Sequence, residues 1–350
     1  MSGGITQLVA LGAQDSHLVG NPEVSFFQSS FKRHTNFSSV IERQVIQNTP
    51  AASGLSSIRF ERKGDLLSYV YLSNTSSAGA VTVTNWDEIV DKVELYIGGQ
   101  LIDTQNFEYS ANIHTDTMAN TFSKTNFGPT PDVSGSNDGY FYPFKFWFCE
   151  NWQSALPLIA LQYHDVECRI YWANNAAVSN GIEAWARYIY LDADERRSMA
   201  EKSMDMLIHQ VQRIPNPALK TADLTFNHPV KFLASCASAF DASNTVLLQL
   251  NGVDVGEKKP AVPHYNQVSC YYHTPYGSSS TDPGEGFESV TMMLPFCLDS
   301  SKLQPTGTCN FSRMDSARLV CSSAINADIY AVNYNILRVQ NGMGGLLYAN

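Results

Sequence analysis

A chain of 350 residues, 44% apolar and 11% aromatic, can bury one large core or two ordinary ones, which excludes wholesale disorder. Only 16% of residues are charged, against roughly 25% in an average soluble protein, so Ser, Thr, Asn, Gln and Gly must cover much of the surface, as suits packing against neighbours. The balance of 23 basic and 33 acidic residues, with no Lys/Arg run longer than a pair, lacks the basic face by which proteins coat naked nucleic acid.

In chain order, residues 1–23 mix small apolar residues with Gly and Pro and show no sustained period, so they are expected to form an arm that orders only against something else. Met1-Ser2-Gly3-Gly4 offers neither a secretory leader nor the Gly at position 2 that myristoylation needs. Period-two alternation then recurs. Ile58-Arg-Phe60, Val93-Glu-Leu95-Tyr-Ile97, Val166-Glu-Cys168-Arg-Ile170-Tyr-Trp172 and Tyr330-Ala-Val332-Asn-Tyr334-Asn-Ile336 each place apolar side chains on one face of an extended strand. Short strands separated by Gly, Pro, Asn and Ser clusters point to sandwiches or barrels rather than βαβ units. Helical periodicity is confined to about 194–212, with Asp192 or Asp194 as the cap, Glu195 in the first turn and Met199, Met206 and Leu207 as a stripe, ended by Pro215 and Pro217. The longest continuous apolar run, residues 155–161, already contains Pro157 and is too short to span a bilayer, so no membrane insertion is expected.

Two marks repeat across that segment. Val93-Glu-Leu95-Tyr-Ile97-Gly-Gly99 matches Val246-Leu-Leu248-Gln-Leu250-Asn-Gly252, each an alternating strand entering a tight hairpin turn, and Phe148-Cys149 with Pro157 matches Phe296-Cys297 with Pro305 at the same interval. An offset near 150 residues implies duplication of one β-sandwich. Each half also carries a long polar connection, 106–140 and 254–288, of a length that is usually functional or interactive. The expected organisation is an arm at 1–23, a first sandwich at 24–195, a helix and Pro-containing linker at 196–221, and a second sandwich at 222–350.

Catalytic constellations are not evident. The chain holds no phosphate-binding Gly-rich loop ending in Lys-Ser/Thr, no His-Glu-x-x-His and no Gly-x-Ser-x-Gly turn. Asp192, Asp194 and Glu195 read as helix capping rather than a metal cluster, and His164-Asp165 as a surface or cap pair, because neighbours on a strand point to opposite faces. The seven cysteines are scattered, with no Cys-x-x-Cys, so neither a disulfide framework nor a structural zinc site is expected. No cofactor or metal is therefore assigned. Of three Asn-x-Ser sequons, at Asn36, Asn74 and Asn310, only Asn74 falls in an evident loop and stands as the candidate glycosylation site, with chance occurrence as the competing reading.

The opening Gly3-Gly-Ile-Thr-Gln-Leu-Val-Ala-Leu-Gly-Ala-Gln-Asp15, followed by Gly20-Asn-Pro22, Phe26-Phe27 and Lys32-Arg-His-Thr-Asn-Phe37, closely resembles the start of major capsid proteins of nucleocytoplasmic large DNA viruses, especially those of algae. Arg62-Lys-Gly-Asp-Leu66, Ala155-Leu-Pro-Leu-Ile-Ala-Leu-Gln-Tyr-His164, Phe226-Asn-His-Pro-Val230, Gln304-Pro-Thr-Gly-Thr-Cys-Asn-Phe-Ser-Arg313 and Gly342-Met-Gly-Gly-Leu346 extend the likeness through most of the chain. The resemblance implies an all-β protein of two tandem eight-stranded antiparallel jelly-roll sandwiches joined by a short helix. It also implies a structural, non-enzymatic role: a homotrimer forming a nearly hexagonal capsomer, touching neighbouring capsomers and minor capsid proteins, in a virion assembled in the host cytoplasm. Alternatives are a low-abundance capsid paralogue, a jelly-roll lectin, or a carbohydrate-active enzyme, which would need two facing carboxylates that nothing nominates. Tyr140, Phe141, Tyr142, Tyr271 and Tyr272 are the candidate inter-subunit contacts, since aromatics in long connections are the usual anchors of an interface.

Overall fold

The computed structural model describes residues 3–73, 86, 89–119, 141–175, 181–236, 240, 242–275 and 291–348. Residues 1–36 and 37–350 form two compact units. The first holds two short helices, Gly3–Val9 and Ser16–Val19, where no regular element was expected, and neither buries a residue. It also runs beyond the expected arm, because the first strand begins only at Phe37.

Eight principal strands are described in the first half: β1 (Phe37–Gln44), β2 (Leu55–Arg59), β3 (Leu66–Ser73), β4 (Val90–Ile97), β5 (Gln100–Asn106), β6 (Phe141–Pro143), β7 (Val166–Trp172) and β8 (Glu183–Leu191). Eight more follow in the second half: β9 (Met204–Ile214), β10 (Thr221–Asp223), β11 (Pro229–Cys236), β12 (Thr245–Leu250), β13 (Val253–Asp254), β14 (Thr291–Pro295), β15 (Ala317–Cys321) and β16 (Ile329–Gln340). The sheets of the first half run β1-β8-β3-β6 and β2-β7-β4-β5, and those of the second run β9-β16-β11-β14 and β10-β15-β12-β13. Replacing each strand by the one eight places later converts one pair of sheets into the other. That identity of order is the structural signature of a duplicated jelly roll.

The repeated hairpin is equally plain. The turn joining β4 to β5 places Gly98 and Gly99 at φ 58° and 81°, and the turn joining β12 to β13 places Asn251 and Gly252 at 51° and 77°. Two successive left-handed residues make the turn whose twist matches the strands, and Gly and Asn enter that region at least cost. Asn341 and Gly342 repeat the device at 53° and 79° and return the chain from β16 into Met343–Leu346, which pairs with it.

Each sandwich has its own core. Ile58, Val70, Leu72, Leu95, Ile170 and Tyr188 represent the first, and Val230, Leu233, Leu248, Leu319, Ile329 and Ala331 the second. Complete burial of side chains of this size contributes roughly 1.5–3 kcal/mol each. Alternation predicts β7 well, since Val166, Cys168, Ile170 and Trp172 are buried and the residues between them half-buried.

One expected element is replaced. The helix stops at Glu201, spanning Ala193–Glu201 with Asp192 as its cap, and Lys202 is already extended at φ −89°, ψ 136°. Residues 204–212, expected to continue it, lie instead in β9, which pairs with β16 over its whole length, from Met204 opposite Val339 to Ile214 opposite Ile329. Met204-Asp-Met206-Leu-Ile208-His-Gln210-Val alternates as readily as it turns, and eleven paired positions in a sheet outweigh a weakly amphipathic helix. Pro215 ends the strand, as it was expected to end the helix.

Candidate functional site: the joint between the sandwiches and its exposed counterpart

In the sheet β9-β16-β11-β14, the strands β16, β11 and β14 are buried on both faces over most of their length. Its inner face closes the second core, while its outer face carries Phe232, Ala234, Met293, Tyr330 and Val332, which pack against Tyr109, Ile113 and Met118 of the first half. Those three follow β5, Tyr109 and Ile113 in the helical turn Tyr109–Ile113 and Met118 just after the turn His114–Thr117. The Tyr109 and Tyr330 rings lie 5.7 Å apart. Tyr330 donates its hydroxyl proton to Glu108 at 2.9 Å, and Thr291 donates to Asp116 at 3.0 Å.

Beside this apolar patch the joint is polar, and Asp103 and Gln210 find partners across it. The Val211 N–H donates to Asp103 Oδ1 at 2.9 Å, and Gln105 Nε2 donates to the other carboxylate oxygen at the same distance. Gln210 donates through its side-chain amide to the carbonyl of Ile102 and accepts from Asn335 Nδ2 at 2.9 Å. Burial pushes the Asp103 carboxyl up to about 7 despite those donors. The same desolvation pulls His209 down to about 3, with Lys231 adding to the effect. Lys231 itself is fully buried, its ammonium 5.6 Å from the centre of the Tyr334 ring, and desolvation lowers its pKa. A joint that disfavours charge so consistently holds its two halves by hydrogen-bond register and packing rather than ion pairing.

Among the expected contact residues, Tyr140 lies outside the described residues, and Phe141 is half-buried in β6 with its ring 6.0 Å from Tyr71. Tyr142 must be withdrawn: it is 1% exposed, between Trp86 and Phe107 in the first core, because alternation turns it inward where Phe141 turns outward. Tyr271 and Tyr272, on the helix Gln267–His273, are 80% and 69% exposed and pack edge to face at 4.8 Å. Asn74 lies outside the described residues. Asn310 caps a turn by accepting from Ser312 N at 3.0 Å. His164 and Asp165, expected as a surface or cap pair, diverge just before β7: His164 Nδ1 lies 2.8 Å from Gly344 O, and Asp165 pairs with Arg59. All seven cysteines are free, and among the described residues no group of His, Cys, Asp or Glu could hold a metal ion.

Sequence reasoning missed the joint and, with it, a second surface. The outer face of β1-β8-β3-β6 carries Trp185 opposite Tyr71, Tyr69 with its ring centre 6.3 Å from that of Tyr71, and Arg187 stacked 5.4 Å over Tyr69. These four are half-buried. Their signal was present in Tyr69-Val-Tyr71-Leu and Trp185-Ala-Arg187-Tyr188, where both strand faces carry large side chains, as strands covered on two sides do.

Comparison with known proteins identifies the family and the fold. Residues 25–193 match the family model described as the major capsid protein N-terminus, and residues 235–345 match that of the large eukaryotic DNA virus major capsid protein. The major capsid protein of Pyramimonas orientalis virus is 35% identical, and that of Paramecium bursaria Chlorella virus 1 is 29% identical, each alignment covering the whole of both chains. Among solved structures, PBCV-1 VP54, fitted into a cryo-EM reconstruction of the virophage Sputnik, superposes with a TM-score of 0.75 at 26% identity over 93% of this chain and 100% of that one. The Faustovirus major capsid protein shares the fold at a TM-score of 0.63 and 11% identity, covering 94% of each chain.

Proposed function

Since the chain belongs to the major capsid protein family of large eukaryotic DNA viruses, and so to the capsid of a virion, we propose that three copies associate into a capsomer of nearly hexagonal outline, without a catalytic centre. The observation that carries this reading is the repetition of one sheet order in two sandwiches of a single chain. Three chains then supply six similar units, which fill a hexagonal lattice site that a single-sandwich trimer would fill poorly. Icosahedral tiling by neighbouring capsomers follows from that outline, and the host cytoplasm is the proposed place of assembly.

Association rests on apolar area and neutral hydrogen bonds. With 16% charged residues there is little to build an ionic interface from, and obligate interfaces typically bury more than about 2,000 Å². The arm contributes differently. Phe26, Phe27 and Phe31 are almost wholly exposed, which suits a segment that orders on another protein, and the minor capsid proteins beneath the shell are its proposed partners.

Mass measurement of the purified chain tests the reading directly. A trimer should persist in chelator and in reductant and weaken only modestly in high salt. Removal of residues 1–36 should spare that trimer and impair closure of shells seen by electron microscopy. A chain that remains monomeric at all concentrations, or a trimer dissolved by chelator alone, would overturn the reading.

A further inference from the structure

At one end the joint opens into a cleft that its packing leaves unfilled. The start of β4 and the ends of β5 and β7 meet there, with Lys92 opposite Asn106 and Val90 opposite Trp172. Asp91, Asn106 and Asn174 line the cleft from the first sandwich, and Arg213 of β9 and Asp328, just before β16, line it from the second. With Glu108 they bound a volume of about 630 Å³, inside the range of roughly 300–1,000 Å³ usual for small-molecule sites. Phe107 and Tyr171, both half-buried, complete the lining.

The polar groups of the cleft differ from those deeper in the joint, because much of their hydrogen-bonding capacity is unused. Asp328 is fully engaged: it accepts from Arg213 Nε, from Asn216 N at 2.8 Å and from the Tyr330 hydroxyl at 3.3 Å. Glu108 accepts from that same hydroxyl through Oε2, and its Oε1 has no partner among the described residues. The side chains of Asp91, Asn106 and Asn174 likewise make no hydrogen bond or ion pair among the described residues. These are planar groups, each offering two adjacent polar atoms, a spacing that matches vicinal hydroxyls, while a neighbouring aromatic ring suits the apolar face of a pyranose. Charge narrows the choice. With Asp328 paired to Arg213, Asp91 and Glu108 remain as uncompensated carboxylates, which repel an anionic ligand.

We propose that this cleft binds a short neutral oligosaccharide, giving the chain a sugar-binding activity beside its structural role. Both walls belong to one chain, so the site does not depend on how copies associate.

The test titrates cellotriose, chitotriose, trigalacturonate and triglycine, each at millimolar concentration, against the full chain, with saturation-transfer NMR and calorimetry as readouts. At least one of the two neutral sugars should bind, and trigalacturonate and triglycine should not. Asp91 and Asn174 are exposed, so Asp91→Ala and Asn174→Ala should leave the melting temperature unchanged. Each should weaken sugar binding roughly tenfold, the usual consequence of losing a hydrogen bond to a charged or polar partner. The proposal is overturned if neither neutral sugar binds, if trigalacturonate or triglycine binds as tightly, or if both variants retain full affinity. Any of those results leaves the shell-protein reading standing.

Discussion

The outer faces of β1-β8-β3-β6 and β9-β16-β11-β14 occupy the same place in the same fold and differ in what they carry. The second is covered from within the chain and combines Ala234, Val332 and Phe232 with Val211 and Gln210, whose partners Asp103 and Ile102 lie across the joint. The first keeps Trp185, Tyr69 and Tyr71 but stations Arg187 over Tyr69 and pairs Arg43 with Glu183 at 3.2 Å. The difference teaches what closure within the chain changes in a sheet face. A face closed as the chain folds is spared contact with water, whereas a face the chain leaves open is wetted by charged groups.

The largest effect that would break this comparison comes from equivalent truncations. Phe232→Ala should cost the folded chain about 3–5 kcal/mol, the usual loss for a buried phenylalanine, while Trp185→Ala should cost the dissociated monomer less than about 1 kcal/mol. Urea unfolding at concentrations below trimer formation measures both. Equal costs would mean that the first face is already closed in the monomer.

The joint should also respond to pH in a way the exposed face does not. Asp103 has its folded pKa raised from 3.8 to about 7, chiefly by burial. Its contribution is therefore fully present below its unfolded value and is lost as pH rises through about 7. Asp103→Asn removes that loss, so between pH 5 and pH 8 the wild type should lose about 2–3 kcal/mol more stability than the variant, by the linkage of pKa to free energy. Parallel unfolding curves at the two pH values decide it; identical pH dependence would show the carboxyl to be solvated.

Smaller again is the Tyr330 hydroxyl. Tyr330→Phe removes its bond to Glu108 and leaves a part-buried carboxyl without that donor, at an expected cost of about 1–2 kcal/mol in the same assay. The smallest effects sharpen the comparison of the two repeated turns. A Cβ at Gly98 would strike the His164 ring, whereas one at Gly99 would meet nothing within 4 Å. Gly99→Ala should therefore cost about 1 kcal/mol from positive φ alone, and Gly98→Ala measurably more, with the difference read from melting temperatures. Equal losses would show that the imidazole simply moves aside.

Much of the fold was legible because it is written in short-range terms. The alternation of Val166 to Trp172, the tight-turn pairs Gly98-Gly99 and Asn251-Gly252, and the offset between them each depend on neighbours in sequence. The stretch 204–214 was misread because its pattern suits two periods, and only its partner strand chooses between them. Of the candidate contacts, Tyr271 and Tyr272 stand on an exposed helix, whereas Tyr142 differs from Phe141 only in the phase of β6, a strand of three residues with too short an alternation to set its own register.

By itself, then, the sequence determined that this chain is a duplicated all-β protein and tied it, through long ordered motifs, to a family of shell proteins. Strand period, turn chemistry and repetition are properties of contiguous residues and survive without coordinates. Only the tertiary structure decided which of two equivalent faces is covered inside the chain and which is left half-buried. That choice depends on pairings such as Asp103 with Val211 and Tyr109 with Tyr330, more than a hundred residues apart, and nothing local to either partner records the other.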